Sequence, residues 1–143
     1  MTARRTVLVT ALSAGLAATV ASSPARAGDK AHKVVFQVSD ADPAKWNLAL
    51  NNVRNVQHDL GLDNVQIEIV AYGPGIGMLR KGSVVGDRIS QTLAAGTAVV
   101  ACENTMQTQK LTRADMPEDI DYVAAGVVEL MKRQKEGYAY IRP

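Results

Sequence analysis

The chain has 143 residues, a formal net charge of +2 and 47% hydrophobic residues, so it is long enough for one domain with a real core. So small a charge gives no reason to expect nucleic-acid binding, and four Tyr, one Trp and one Phe provide no stacking platform for single strands. One Cys and two distant His residues cannot assemble a metal site, and nothing in the sequence indicates a cofactor.

Residues 1–27 have the pattern of a cleaved signal peptide. Arg4-Arg5 forms a basic start, residues 7–21 are apolar or small, and Ala25-Arg26-Ala27 is a small-x-small cleavage signature. The apolar run is shorter than the roughly 20 residues of a membrane span. The paired arginines resemble a twin-arginine export signal, and an ordinary secretory signal is the alternative. We therefore expect cleavage after Ala27 and a periplasmic protein that makes no membrane contact.

The mature chain, residues 28–143, is then a single domain. Without the three arginines of the signal segment, 13 Lys and Arg remain against 14 Asp and Glu, a formal charge of −1. A lone cysteine in an exported chain cannot form an internal disulfide. It is buried and inert, paired between chains, or a free reactive thiol.

The first half of this domain reads as strand, helix, strand. An apolar run predicts a strand over residues 33–38, and helical spacing of apolar residues predicts an amphipathic helix over 43–60. Asp42 is suited to cap that helix and Gly61 to end it. A second strand is predicted over 65–72.

A glycine-rich loop, residues 73–77, follows the second strand. Its spacing matches neither the dinucleotide fingerprint nor a phosphate-binding P-loop. A tight strand-to-helix turn is the first interpretation, and a backbone cradle for an anion is the alternative. In the second case Gly75, Ile76 and Gly77 would line a ligand pocket.

Positive charge follows this loop at Arg80, Lys81 and Arg88, the last of them within a helix predicted over 84–95. Such residues commonly serve only solubility. Their functional interpretation is that Arg80 or Lys81 offsets negative charge on a thiolate or a sulfur ligand.

The cysteine, Cys102, follows a β-branched run that predicts a buried strand over 97–100. Asn104 and Thr105 are suited to cap a short helix over 106–110, and Asn104 is a further candidate ligand-binding residue. A thiol between a strand and a helix lies where sites form in open α/β sheets, and the helix dipole lowers its pKa. Glu103 acts in the opposite direction. The alternative is that Cys102 is a small buried packing residue.

The rest of the chain continues the alternation. We predict a strand over 122–124, a helix over 126–136 and a final strand over 138–143. The inward positions of that helix are expected to be Val127, Leu130 and Met131. Regular alternation of strand and helix predicts a three-layer α/β/α sandwich with a mostly parallel five-stranded sheet.

Several segments of the mature chain resemble the DsrE/DsrF/TusD-like sulfur-relay family, and its YchN-like branch in particular. The residues that carry the resemblance are Lys33-Val34-Val35-Phe36, Ala71-Tyr72-Gly73-Pro74-Gly75-Ile76, the stretch from Gly96 to Met106, and the ending from Val127 to Pro143. The resemblance implies a parallel α/β sandwich and self-association, commonly as trimers or hexamers. It also implies that Cys102 occupies the position of the persulfide-carrying cysteine of relay members. Glu103-Asn104-Thr105-Met106 differs from the helix start of the cytoplasmic carriers, and those carriers are not exported.

Two functions follow as hypotheses. The first is a periplasmic sulfur-handling protein, at most a carrier or transferase, that holds sulfane sulfur as a persulfide on Cys102 and exchanges it with donor or acceptor proteins. The second is a non-enzymatic homo-oligomeric module that binds a small ligand and in which Cys102 is structural.

Overall fold

The structure is a computed structural model that describes residues 30–143. The predicted signal peptide and its cleavage after Ala27 lie outside the described residues. Within residues 30–143, no helix is both long enough and apolar enough to cross a membrane.

Strands and helices alternate along the described chain. The strands are β1 (His32–Val38), β2 (Val65–Ala71), β3 (Ala98–Cys102), β4 (Asp121–Val123) and β5 (Ala139–Ile141). The α-helices are α1 (Pro43–Leu60), α2 (Gly86–Ala94), α3 (Glu103–Thr108) and α4 (Gly126–Lys135), with short 3₁₀ helices at Gly73–Leu79 and Arg113–Asp115. Each predicted strand is present, with ends shifted by a few residues.

The five strands form one sheet in the order β4-β3-β2-β1-β5, and every pairing is parallel. The predicted α/β fold is therefore confirmed, with a sheet that is parallel throughout. The first four strands are added in one direction, and α4 then returns the chain across the sheet to β5 beside β1. Right-handed crossovers place helices on opposite faces when the direction of addition reverses.

Two apolar clusters lie on the two faces of the sheet. The larger cluster packs α1, α2 and α3 against the sheet through Trp46, Ile89 and Met106, among others. The smaller one contains Leu130 of α4 and Tyr138 over Val35, Val70 and Val100. The face under α4 therefore has far less apolar cover than the face under α1 and α2.

Helix α1 begins and ends as its local sequence predicts. Asp42 Oδ1 accepts a 2.8 Å hydrogen bond from the Ala44 N–H, which caps the first turn. Gly61 ends the helix with φ of +87°, a conformation that favours glycine.

Two expectations are wrong. Helix α3 begins at Glu103, with Cys102 in the capping position, rather than at Asn104 or Thr105. The reason is tertiary, because the Asn104 N–H donates to the Ala124 carbonyl and the Thr105 hydroxyl accepts from the Gly73 N–H.

The inward face of α4 also differs from its prediction. Leu130 is buried, but Val127 is 54% exposed and Met131 65% exposed, whereas Glu129 is buried. Glu129 is turned toward the sheet because Arg133, one turn further along α4, binds both it and Glu68 of β2.

Candidate functional site

The site is built around Cys102, the last residue of β3, which is 5% exposed. Side chains of a strand alternate between faces, so Cys102 shares the face of Val100, which packs under α4. Its register partner on β4 is Val123. The sulfur therefore lies at the carboxyl edge of the sheet, as the strand-to-helix pattern indicated. The structure adds that it lies on the side that α4 covers.

Hydrogen-bond donors from two helix starts meet at the sulfur. The Thr105 side chain and the backbone N–H groups of Gly126, Thr105 and Asn104 lie near Sγ and favour its charged form. Gly126 is the first residue of α4, and the other two lie in the first turn of α3. The thiol proton has the Ala124 carbonyl oxygen as an acceptor, at a long Sγ–O distance of 3.8 Å.

These donors decide the pKa of the thiol. Burial is the largest influence and raises the pKa of Cys102, but the nearby donor groups of Thr105, Gly126 and Asn104 together outweigh it. The net pKa lies below the ordinary value of a cysteine, as the sequence predicted. A buried cysteine in apolar surroundings has the opposite shift. The environment therefore favours the thiolate, which is the nucleophilic form.

Thr105, which the sequence indicated only as a helix cap, lies beside the cysteine in the structure. Its hydroxyl accepts a 2.8 Å hydrogen bond from the Gly73 N–H in the loop after β2. Gln109 Nε2, at the C-terminal end of α3, donates to the Gly73 carbonyl at 3.2 Å. Both the N–H and the carbonyl of Gly73 are therefore hydrogen-bonded to this helix and its end. The available signal was spacing, since a side chain at the third helical position can reach back to the capping residue.

Gly126 allows the start of α4 to approach the sulfur. A Cβ at this position would lie 3.0 Å from Tyr72 Cβ and 3.1 Å from Tyr72 Cδ1. Because glycine has no Cβ, the α4 backbone can pack against Tyr72, at the end of β2. No local pattern in the sequence indicated this contact.

Arg113 forms an ion pair with Glu103, the residue that follows Cys102. Its Nη2 lies 3.0 Å from Glu103 Oε1, and its guanidinium lies 4.2 Å from the centre of the Tyr122 ring. The charge of Glu103, which was expected to oppose thiolate formation, is thus partly compensated by an exposed ion pair.

Arg80 and Lys81, the predicted cations, are exposed and lie beside Asp115. The pKa of Asp115 is low chiefly because Thr112 donates hydrogen bonds to it, and the two cations lower it further. Lys81 also lines a cleft of about 760 Å³ with Gly96 and Thr97, at the beginning of β3. Cys102 is at the other end of that strand.

The glycine-rich loop packs into the domain. A Cβ on Gly75 would stand 2.2 Å from the Val38 carbonyl oxygen, Ile76 is fully buried, and Gly77 lies against the Trp46 ring. These three residues hold the loop against β1 and α1. The side chain of Asn104 is exposed, and the backbone N–H of this residue donates to the Ala124 carbonyl at 3.1 Å.

Within residues 30–143, no group of three or more His, Cys, Asp or Glu residues could hold a metal ion. His58 lies on the outer face of α1, with Nδ1 3.0 Å from Asp59 Oδ1 and most of its side chain exposed.

Residues 32–143 match the model of the DsrE/DsrF-like family. Among solved structures, the chain is similar to MTH1491, a protein of unknown function from Methanobacterium thermoautotrophicum. The two are 38% identical with a TM-score of 0.75, over 78% of this chain and 99% of that one. No curated protein matches the chain.

Proposed function

Because the chain belongs to the DsrE/DsrF-like family, we propose that it is an exported sulfur-relay-type protein that carries sulfane sulfur as a persulfide on Cys102. The observation that carries this proposal is the position of the buried Cys102, which caps α3 and lies 3.8 Å from the Ala124 carbonyl just before α4, with a lowered pKa as support. A cysteine that serves only packing has no need of several donors directed at its sulfur.

The proposed step is a transfer of one sulfur atom. The Cys102 thiolate attacks the outer sulfur of a donor persulfide or polysulfide, and a new S–S bond forms as the donor's S–S bond breaks. The donor leaves as a thiolate with the electron pair of the broken bond. No external oxidant or reductant is required, because Cys102 becomes a persulfide as the donor persulfide becomes a thiolate.

The same donors that favour the thiolate also favour the anionic leaving sulfur in the reverse step. A helix start contributes roughly 0.3–1 kcal/mol to a nearby anion, and hydrogen bonds to charged groups contribute about 1.5–3 kcal/mol. A site with these contributions accepts and releases sulfur without further catalytic groups.

Self-association is part of the proposal, with a second copy of the chain as the partner in a trimer or hexamer. The outward face of α4 presents Val127, Val128 and Met131, all exposed, and the edge strand β5 presents Tyr140. Covering an edge strand and an apolar helix face is a common use of a subunit interface. Export to the periplasm, with cleavage after Ala27, completes the proposal.

The test is incubation of the folded protein with inorganic polysulfide, followed by intact-mass measurement. We expect wild type to gain the mass of a sulfur atom, and this gain to be lost on treatment with a thiol reductant. Cys102→Ser should fold and gain nothing. If wild-type Cys102 resists both polysulfide and alkylation until the protein is unfolded, the cysteine is structural and the small-ligand-binding module becomes the better hypothesis.

A further inference from the structure

Two carboxyl groups share one guanidinium between α4 and the sheet. The side chain of Glu68 is 3% exposed and that of Glu129 is 10% exposed. Arg133 lies 2.7 Å from Glu68 through Nη2 and 2.9 Å from Glu129 through Nε. The nitrogens of a guanidinium lie close together in a rigid fork, so the two carboxyl groups that contact them are neighbours. These three side chains are the carboxyl cluster.

The carboxyl cluster contains one oxygen without a donor. Within residues 30–143, Oε1 of Glu68 is buried and has no hydrogen-bond partner. Two carboxylates beside one cation leave a negative charge uncompensated, which is costly in a buried site. A protonated carboxyl group supplies an O–H donor instead of that charge. Burial raises the pKa of Glu68, Arg133 lowers it and Glu129 raises it further, with a net rise that favours a bound proton.

Other charged and titratable groups reach the carboxyl cluster from α4, from β1 and from the residue before β5. Glu136 contacts Arg133 Nη1 at 3.0 Å, but its side chain is 53% exposed and solvent screens its charge. Tyr138 and Lys33 face the same side of the sheet and interact electrostatically with each other. Arg133 is the cation whose nitrogens contact both buried carboxyl groups.

Helix α4 depends on the carboxyl cluster for its position over the sheet. Its buried side chains are those of Leu130 and Glu129, one apolar and one ionisable. The start of the same helix lies beside the sulfur, because Sγ of Cys102 is 3.8 Å from the Ala124 carbonyl and the residue is 5% exposed. Displacement of α4 would therefore increase the exposure of the thiol.

We propose that Glu68 and Glu129 bind one proton between them, and that loss of this proton as pH rises loosens α4 and admits a sulfur donor to Cys102. The proton passes to solvent, and the two carboxylates then repel each other beside a single cation. The inference rests on the proposed persulfide role, since access to the sulfur matters only to a cysteine that reacts.

The experiment is hydrogen–deuterium exchange of the folded protein between pH 5 and about pH 8. The exchange of α4 is compared with that of α1, on the other face of the sheet, because the ratio removes the intrinsic effect of pH. The proton is bound when α4 is docked and released when it is not, so we expect α4 of wild type to exchange about ten-fold faster, relative to α1, at the higher pH. Iodoacetamide alkylation of Cys102 should accelerate over the same range relative to Glu68→Gln.

Three variants test the role of the buried pair. Glu68→Gln should keep the exchange ratio constant, because its amide supplies a donor and cannot ionise. Glu136→Gln is the matched control, since it removes a carboxylate from the same guanidinium but outside the buried pair, and it should retain the wild-type change. Where Glu68→Gln does not fold, Glu129→Gln removes the second carboxylate and should also abolish the change.

A wild-type ratio that is independent of pH would overturn the inference. The same holds for a change that Glu68→Gln retains, or one that Glu136→Gln also abolishes. Polysulfide labelling separates this inference from the proposed function. Wild type that gains no sulfur at either pH while α4 shows the change rejects only the persulfide role. Wild type that gains sulfur while α4 shows no change rejects only the role of the carboxyl cluster.

Discussion

Arg133 Nη2 lies 2.7 Å from Glu68 Oε2, in an ion pair between α4 and the middle strand of the sheet, in which the carboxylate is buried and the guanidinium is partly exposed. The same guanidinium approaches Glu129 Oε1 at 2.9 Å through Nε, although the angle there does not satisfy a hydrogen bond. Within residues 30–143, the second oxygen of Glu68 is buried and has no hydrogen-bond partner. The single positive charge of Arg133 thus compensates two buried carboxylates, those of Glu68 and Glu129.

Arg133→Met should be strongly destabilising, because it leaves Glu68 and Glu129 facing each other in a buried site. Removing one partner of a buried ion pair costs about 3–5 kcal/mol. The loss in the free energy of unfolding is measured by urea unfolding, monitored through the fluorescence of the buried Trp46. Lys45→Met, which breaks an exposed pair with Asp40 at 3.2 Å, is the control and should change far less. Equal losses in the two variants would contradict a stabilising role for the contacts of Arg133 with Glu68 and Glu129.

The stability of the protein should depend on the ionisation of Glu68. Burial raises the pKa of this carboxyl, Arg133 opposes the shift, and Glu129 adds to it, with a net rise. A raised pKa in the folded state means that the contribution is complete below the ordinary value of about 4.3 and is lost as pH rises through the folded value. Glu68→Gln cannot ionise, so its stability relative to wild type should increase with pH. Parallel pH profiles of urea unfolding for the two proteins would rule this out.

Gly75→Ala should be severely destabilising, since its Cβ would stand 2.2 Å from the Val38 carbonyl oxygen. Backbone atoms cannot withdraw as a side chain can, so we expect a loss of about 3 kcal/mol or more. Gly86→Ala is the matched control, because a Cβ there meets nothing within 4 Å. That change should be neutral or stabilising by up to about 1 kcal/mol. Thermal unfolding of both variants decides the matter, and a tolerated Gly75→Ala would show that the loop can move away from β1.

Gly126→Ala should raise the pKa of Cys102. The added methyl group would press on Tyr72 at 3.0–3.2 Å and displace the first N–H of α4 from the sulfur. A modest loss of stability, about 1 kcal/mol, is expected from the tighter packing. Iodoacetamide alkylation across pH gives the result, with Gly86→Ala again as the control. An unchanged profile would mean that the Gly126 N–H does little for the thiolate.

Met131→Lys tests the proposed self-association. Placing a charge in the centre of the exposed apolar face of α4 should weaken an interface there, whereas Val84→Lys, at an apolar residue 77% exposed elsewhere, should not. Light scattering coupled to size exclusion gives the mass of each species. A monomeric wild type at micromolar concentration would remove the basis of the proposal.

Features that depend on neighbouring residues in the chain could be predicted from the sequence, whereas features that depend on residues distant in the chain could not. Helix α1 was predicted at its observed bounds because Asp42, Pro43 and Gly61 act within one turn of their own positions. The placement of Cys102 at the end of a buried strand was equally local.

Features that depend on α4 could not be predicted. Glu129 faces inward because Arg133 binds both it and Glu68, a residue of a strand distant in the chain. Val127 and Met131 consequently face outward. Helical periodicity gives the width of an apolar face, but a buried ion pair can rotate the helix away from it. The Gly126 N–H likewise comes near Cys102 only once α4 has crossed back over the sheet.

That crossing has a consequence for the order of events during folding. Cys102 precedes α4 and β5 in the chain, and β1 to β3 can pair with α1 and α2 in place before either arrives. Until α4 docks, the sulfur has no Gly126 N–H beside it and no helix above it. The thiol is therefore more accessible to oxidants in a chain in which α4 has not yet docked, and the docking of α4 covers the cysteine as well as completing its site.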